Sequence, residues 1–268
     1  MGRFTRLFFE RFRQFQQWER SAQIGFVLAI VLATVSAVVS RRVDELRTPA
    51  TIGAMGALIT AQFIFMWAHR GMITPFTLAQ RHYLHGEFDQ AIAILETLRS
   101  ADEADFKAIT LLGNTYRQVG DLDKSEAVLY EAVNIKPDHY FPLYGFGRTL
   151  LTKGCYAEAV TAFEQGLELG APSATHFDLG EALYRAGQVD DAKRSLLLVI
   201  EIPEGEPHRV LMATYLLQQM GEPIKPSYAQ IDAGLRYWEA QAVLFADTVY
   251  GQAVQRDITH LSLMREEI

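Results

Sequence analysis

The stretch FKAITLLGNTYRQVGDLDKSEAVLYEAVNIKP, residues 106–137, reads as two short helices broken at Gly120. Leu112 and Gly113 precede that glycine by eight and seven residues, and Ser125 and Leu129 follow it by five and nine. The same columns recur on either side. Glycine returns at 86, 120, 154, 187 and 221, with spacings of 34, 34, 33 and 34. Before each stands a pair: Leu78-Ala79, Leu112-Gly113, Phe146-Gly147, Leu179-Gly180, Ala213-Thr214. After the first four come Ala91, Ser125, Ala159 and Ala192, then Leu95, Leu129, Phe163 and Leu196. A period of this length marks a stacked helical array, in which no unit buries its apolar face alone. The small residue lets a first helix approach its neighbour closely. Glycine ends that helix at a positive φ, and the next small residue opens a second helix that packs back on the first.

These residues resemble the tetratricopeptide repeat family. The unit 106–137 matches its pattern at Leu112-Gly113, Tyr116, Gly120, Ala132 and Pro137, with Ser125 where alanine is usual. Units at 140–172 and 173–203 match nearly as well, a degenerate one covers about 75–103, and a half repeat near 207–221 stops at Pro223. The resemblance implies an all-α chain with a right-handed α-solenoid over residues 72–222. Beyond Pro223 and Pro226, residues 223–268 read as amphipathic helices whose face, Leu235, Trp238, Ala242, Leu244 and Phe245, caps the open end of the stack. A long dimerising helix is the alternative.

Ahead of the array the chain changes character. Residues 24–40, IGFVLAIVLATVSAVVS, and 48–68, TPATIGAMGALITAQFIFMWA, carry no charge, and each approaches the ~20 residues a helix needs to cross a bilayer. Between them RRVDELR, 41–47, is too polar for lipid. Residues 21–70 therefore read as a transmembrane hairpin with spans near 22–40 and 50–68. A cleaved signal peptide and a pair of buried soluble helices are the alternatives, opposed by the twenty residues before the first run and by the length of both runs. Small residues at helical spacing, Ala29, Ala33 and Ala37 against Gly53, Ala57 and Ala61, suit close packing in lipid, and Gln62 is an amide inside a span. Residues 1–20, MGRFTRLFFERFRQFQQWER, place Phe4, Phe8, Phe12 and Phe15 on one side among arginines, the pattern of a helix lying in the lipid interface. Arg and Lys near the span ends number seven on the terminal side (Arg3, Arg6, Arg11, Arg13, Arg20, Arg70, Arg81) and three in the loop, which puts both termini and the repeats in the cytoplasm.

In this family the first helix of each unit lines a concave groove. Residues 13, 10, 6 and 3 before each glycine keep one helical face. They include Phe76 and Tyr83, then Lys107, Asn114 and Arg117, then Phe141, Tyr144 and Arg148, then Phe177, Glu181 and Tyr184, and finally Tyr215, with Arg185 at the edge. The face is basic and aromatic in a chain of net charge −7. It suits a protein or peptide carrying acidic and apolar side chains. Net negative charge opposes nucleic-acid binding. One cysteine, Cys155, allows no internal disulfide and favours a reducing compartment. His82 and His85 with Glu87 and Asp89 could suggest a metal site, but the acids fall in the turn and no second cluster supports them, and neither a phosphate-binding loop nor a nucleophile motif is present. The expectation is an adaptor without catalytic residue, cofactor or metal. The alternative is an assembly subunit of a membrane complex, held through the hairpin.

Overall fold

The computed structural model describes residues 19–69, 74–201 and 205–267. The expected interfacial helix of residues 1–20 lies almost wholly outside them. Every regular element among the described residues is helical. The chain divides into two compact units, Met1–Thr74 and Pro75–Ile268.

The first unit is a helical hairpin. α1 (Arg20–Arg42) and α2 (Arg47–His69) are joined by a 3₁₀ turn at Asp44–Leu46. Ala22, Ala29, Ala33 and Ala61 form the seam and are at most 6% exposed. A side chain added at Gly25 would meet Ile64, and one at Gly53 would meet Ser36, so the helices run antiparallel. Small residues let the two backbones approach, as the alternation in sequence requires. The outer faces are apolar and open, with Ile24, Leu32, Ile52 and Phe63 all more than half exposed. Both helices are long and apolar enough to cross a membrane, and only 17% and 6% of their apolar windows are buried. A soluble core helix shows the reverse.

Among its described residues the second unit stacks eleven helices, α3 (Pro75–Leu84), α4 (Phe88–Ser100), α5 (Phe106–Gln118), α6 (Leu122–Ile135), α7 (Tyr140–Lys153), α8 (Tyr156–Glu168), α9 (Thr175–Arg185), α10 (Val189–Ile200), α11 (Pro207–Gln219), α12 (Tyr228–Leu244) and α13 (Val249–Glu267). The recurrent glycines at 86, 120, 154, 187 and 221 all take φ between 75° and 88°. After each, the next amide reaches back over the helix end, as Asp121 N–H does to the Tyr116 carbonyl at 2.9 Å and Cys155 N–H to Leu150 at 2.9 Å. This closure satisfies carbonyls that a bare helix end leaves orphaned.

The two other sequence columns meet in space. A Cβ on Gly147 would sit 2.8 Å from the Phe163 ring, and one on Gly180 would sit 2.6 Å from Leu196 Cγ. The small residue of each first helix thus makes room for the large residue of its second. Ser125, the departure from alanine, is fully buried and donates to the Gly113 carbonyl at 2.8 Å, with Thr149 Oγ1 also at 2.8 Å.

α12 packs on α11 through Ile231, Leu235 and Trp238, none more than 5% exposed. Trp238 Nε1 donates to the His208 carbonyl at 2.7 Å. Ser227 and Gln230 cap its start reciprocally. The helix then runs across the face built from α11, α9, α7 and α5. Trp238 lies on Phe177 of α9 (5.8 Å between ring centres), and Leu244 reaches Gly120 at the end of α5. α13 returns, with Val249 against Gly154, Asp257 on Arg185 and His260 on Tyr215. The C-terminal helices therefore do more than cover the end of the stack. They occupy much of its inner face.

Candidate functional site

α5, α7, α9 and α11 are first helices of successive repeats, and their shared face carries most of the residues singled out from the sequence. The structure divides these into a covered set and an accessible set. Phe177 (2% exposed) and Tyr215 (1%) lie beneath α12 and α13. Arg185 has a side chain 6% exposed and is paired with Glu181 at 3.2 Å and with Asp257 of α13 at 2.6 Å. Tyr250 of α13 closes this cluster, donating to Glu181 at 3.4 Å and lying under the Arg185 guanidinium. Burial pushes the Glu181 carboxyl up, while Arg185 opposes the shift. The phenol of Tyr215 is pushed up by burial and by Asp257.

The middle of the face holds a second ionic cluster. Asp178, 1% exposed, pairs with Arg148 at 3.0 Å and accepts from Arg209 at 3.0 Å and from the Tyr144 hydroxyl at 2.9 Å. Arg209 also donates to the Ala174 carbonyl at 2.8 Å and pairs with Glu206 at 2.6 Å. His208 stacks on Tyr237 with ring centres 3.8 Å apart, and burial holds its imidazole down at about 4, so it is neutral at pH 7.

The accessible set lies towards α3 and α5. Phe76 and Tyr83 of α3 are half-buried against the first-repeat core. Lys107, at the start of α5, is exposed, with its ammonium near the Phe106 ring. Asn114 and Phe141 are half-buried. Arg117, next to them, does not belong to the accessible set: it is 7% exposed and donates to Asn114 Oδ1 at 3.1 Å. Tyr184 lines a separate polar recess of about 380 Å3 with Tyr156, Arg185, Arg256 and Asp257.

Sequence reasoning passed over Asp178, Arg209, Tyr237 and Asp257, which set the electrostatics of the face. Asp178 lies one position from Phe177, off the strict face, and Asp257 lies in the C-terminal helices. A signal for Asp257 was present: it stands among Tyr250, Val254, Ile258 and Leu261, an acid on the apolar face of a helix, which demands a buried cation. Elsewhere, no group of three His, Cys, Asp or Glu poised for a metal occurs among the described residues. His82 pairs instead with Glu87. Burial and Glu158 push the Cys155 thiol up, away from a reactive thiolate.

Comparison with known proteins agrees with this architecture. Residues 106–139 and 144–203 match two profiles, both described as tetratricopeptide repeat. The chain is 29% identical over 110 residues to the TPR repeat-containing protein YpiA of Bacillus subtilis, a match covering 40% of this chain and 26% of that one. It is 25% identical over 119 residues to the aspartyl/asparaginyl beta-hydroxylase of Mus musculus, covering 43% and 16%. The chain thus spans about a quarter or less of these curated relatives. Among solved structures, TTC0263, a thermophilic TPR protein of Thermus thermophilus, superposes with a TM-score of 0.50 at 17% identity, covering 70% of this chain and 97% of that one.

Proposed function

We propose that this chain, a tetratricopeptide-repeat protein, is a membrane-anchored adaptor that binds a protein or peptide through the open end of its concave face, on the cytoplasmic side. The observation that carries the reading is the division of that face. Phe76, Tyr83, Lys107, Asn114 and Phe141 form an aromatic, polar surface that α12 and α13 leave accessible, with Arg117 buried behind Asn114, while Phe177, Arg185 and Tyr215 are already occupied. Aromatic and arginine side chains are the usual anchors of protein interfaces. The covered residues, with Tyr144, Arg148 and Tyr184 behind them, then act as the rigid floor of the site. The apolar outer faces of α1 and α2 are the anchor, since lipid is the solvent that such faces need. The excess of arginine on the terminal side gives the orientation.

A photo-crosslinking residue placed at Lys107 or Asn114 of the full chain in its native membrane tests the proposal. A discrete adduct from those positions, absent with the probe at Tyr130 on exposed α6, is expected. Equal labelling from all three, or none, would remove the groove from consideration.

A second reading has one observation in its favour. Gln62 is exposed on the outer face of α2, among residues that would otherwise suit lipid. An amide there has a partner if another transmembrane helix docks, as in a subunit of a membrane complex. Co-purification in mild detergent that is lost in Gln62→Leu, yet survives substitution at Lys107, would favour this role over the groove.

A further inference from the structure

The side of α2 turned away from α1 carries a polar group that its own chain leaves unanswered. Ala54, Ala57, Ala61 and Ile64 make up the side towards α1, each buried or half-buried. On the opposite side Ile52, Met55, Ile59, Gln62 and Met66 recur at intervals of three, four, three and four, and all five are exposed. Such intervals keep one stripe of a helix turned to a partner over successive turns. Other polar side chains on the outer surface are satisfied within their own helix. Thr34, Thr51 and Thr60 each donate to the carbonyl four residues earlier, at 2.8, 2.6 and 2.9 Å. The Gln62 amide has no hydrogen-bond partner among the described residues. It stands three residues past the middle of the 50–68 run, at hydrocarbon depth in a spanning helix. Lipid offers no hydrogen bond there, so the amide keeps an unmet demand for one.

We infer that this stripe is the contact between two copies of the chain, closed by reciprocal hydrogen bonds between their Gln62 amides. The inference rests on the membrane reading above and names the helix that docks. Copies inserted in one bilayer share one orientation, so a rotation about the membrane normal relates them. The two α2 helices then lie parallel and in register, and each stripe residue faces its own counterpart. A primary amide holds both donor and acceptor, so two glutamines brought together complete each other. A charged side chain in the stripe would repel its copy, and the 48–68 run holds none. Gly56 flanks the stripe, and even a Cβ added there would meet nothing within 4 Å, so the partner backbone has room to approach. A single polar position in an apolar seam also sets register and the number of strands.

Cysteine cross-linking of the full chain in its native membrane tests the contact, with Cys155 changed to serine so that the introduced thiol is unique. Under copper–phenanthroline, Ile59→Cys and Met66→Cys are expected to give a disulfide-linked species of twice the 30.2 kDa chain mass. Thr60→Cys and Trp67→Cys, exposed but about 100° round the helix from those positions, should stay single. Equal yields at all four positions, or none at any, overturn the inference. A linked species of another mass also overturns it, in favour of a span from a different protein. Energy transfer between labelled copies in lipid vesicles reads the strength of the contact. Gln62→Leu should weaken self-association about tenfold, and Gln62→Asn, which keeps the amide, should hold most of it. Undiminished association in Gln62→Leu overturns the amide pair. The anchor and the dimer can fail separately: release of the chain by alkaline carbonate removes the anchor itself, while retention in the membrane without cross-linking removes the dimer alone.

Discussion

Replacing Asp178 by asparagine removes a charge from beneath two guanidiniums while leaving the shape of the side chain almost unchanged. Asp178 is 1% exposed, and its partners Arg148 and Arg209 have side chains only 18% and 13% exposed. Removing one partner of a buried ion pair costs about 3–5 kcal/mol, because the orphaned charges stay in the low-dielectric interior. Here the orphans number two, with Arg117 adding like charge alongside. A fall in unfolding midpoint of about 10 °C follows, at roughly 2–4 °C per kcal/mol for a unit of this size. Trp238 is the appropriate reporter, since it is 2% exposed and lies on Phe177, the neighbour of Asp178 in sequence. With Trp18 and Trp67 changed to phenylalanine, urea unfolding in detergent reads the repeat unit alone. Arg117→Met added to Asp178→Asn should recover about 1 kcal/mol, because it lowers the uncompensated charge and so breaks additivity. A loss below about 1 kcal/mol for Asp178→Asn would refute the reasoning. It would mean that Arg148 and Arg209 reach water as surface arginines do, and that the inner face is not desolvated.

Two further outcomes follow from other parts of the repeat unit. In Gly180→Ala the new Cβ would lie 2.6 Å from Leu196 Cγ and 3.3 Å from Leu196 N, so the α9–α10 pair must spread, at about 1–3 kcal/mol in urea unfolding. Stability unchanged within error would show that the repeats do not depend on this close approach. His208 is held at about 4 against an ordinary 6.5, so between those values the unfolded chain binds a proton that the folded chain refuses. Stability falls as pH drops below about 6.5 and the loss completes near 4, amounting to at most about 3 kcal/mol. His208→Gln should flatten that part of the profile. Parallel profiles for the two proteins would exclude His208 as the source.

The sequence showed the array but not what lies upon it. Gly86, Gly120, Gly154, Gly187 and Gly221 could be read in phase because each position has a local demand, a positive φ that glycine meets without strain. The pairs Gly147–Phe163 and Gly180–Leu196 were visible as columns because the repeat carries the same contact along the chain. The hairpin seam was legible in part. Ala29, Ala33 and Ala61 are buried, whereas Ala37 and Gly53 are exposed, since small residues at helical spacing mark a stripe wider than the contact. The course of α12 and α13 was not legible. Periodicity tells which side of a helix is buried, not which surface receives it. Arg185 and Asp257 meet across 72 positions, and no repeat enforces that pairing. The basic, aromatic face was read from spacing, and the structure puts Phe177, Arg185 and Tyr215 of it under the C-terminal helices. Asp257 and His260 of the same chain lie on Arg185 and Tyr215 of that face.

The course of α13 has a mechanical consequence. A stack of helix pairs touching only their neighbours behaves as a spring, and its softest deformation opens and closes the concave side. Leu244, at the end of α12, fastens at Gly120, and Val249, Asp257 and His260 of α13 fasten in turn at Gly154, Arg185 and Tyr215, so that four successive first helices are touched. A helix bound along that line is a stay across the inside of the spring. Curvature from α5 to α11 is thereby fixed. Flexing is left to α3 and α4, which the C-terminal helices do not fasten.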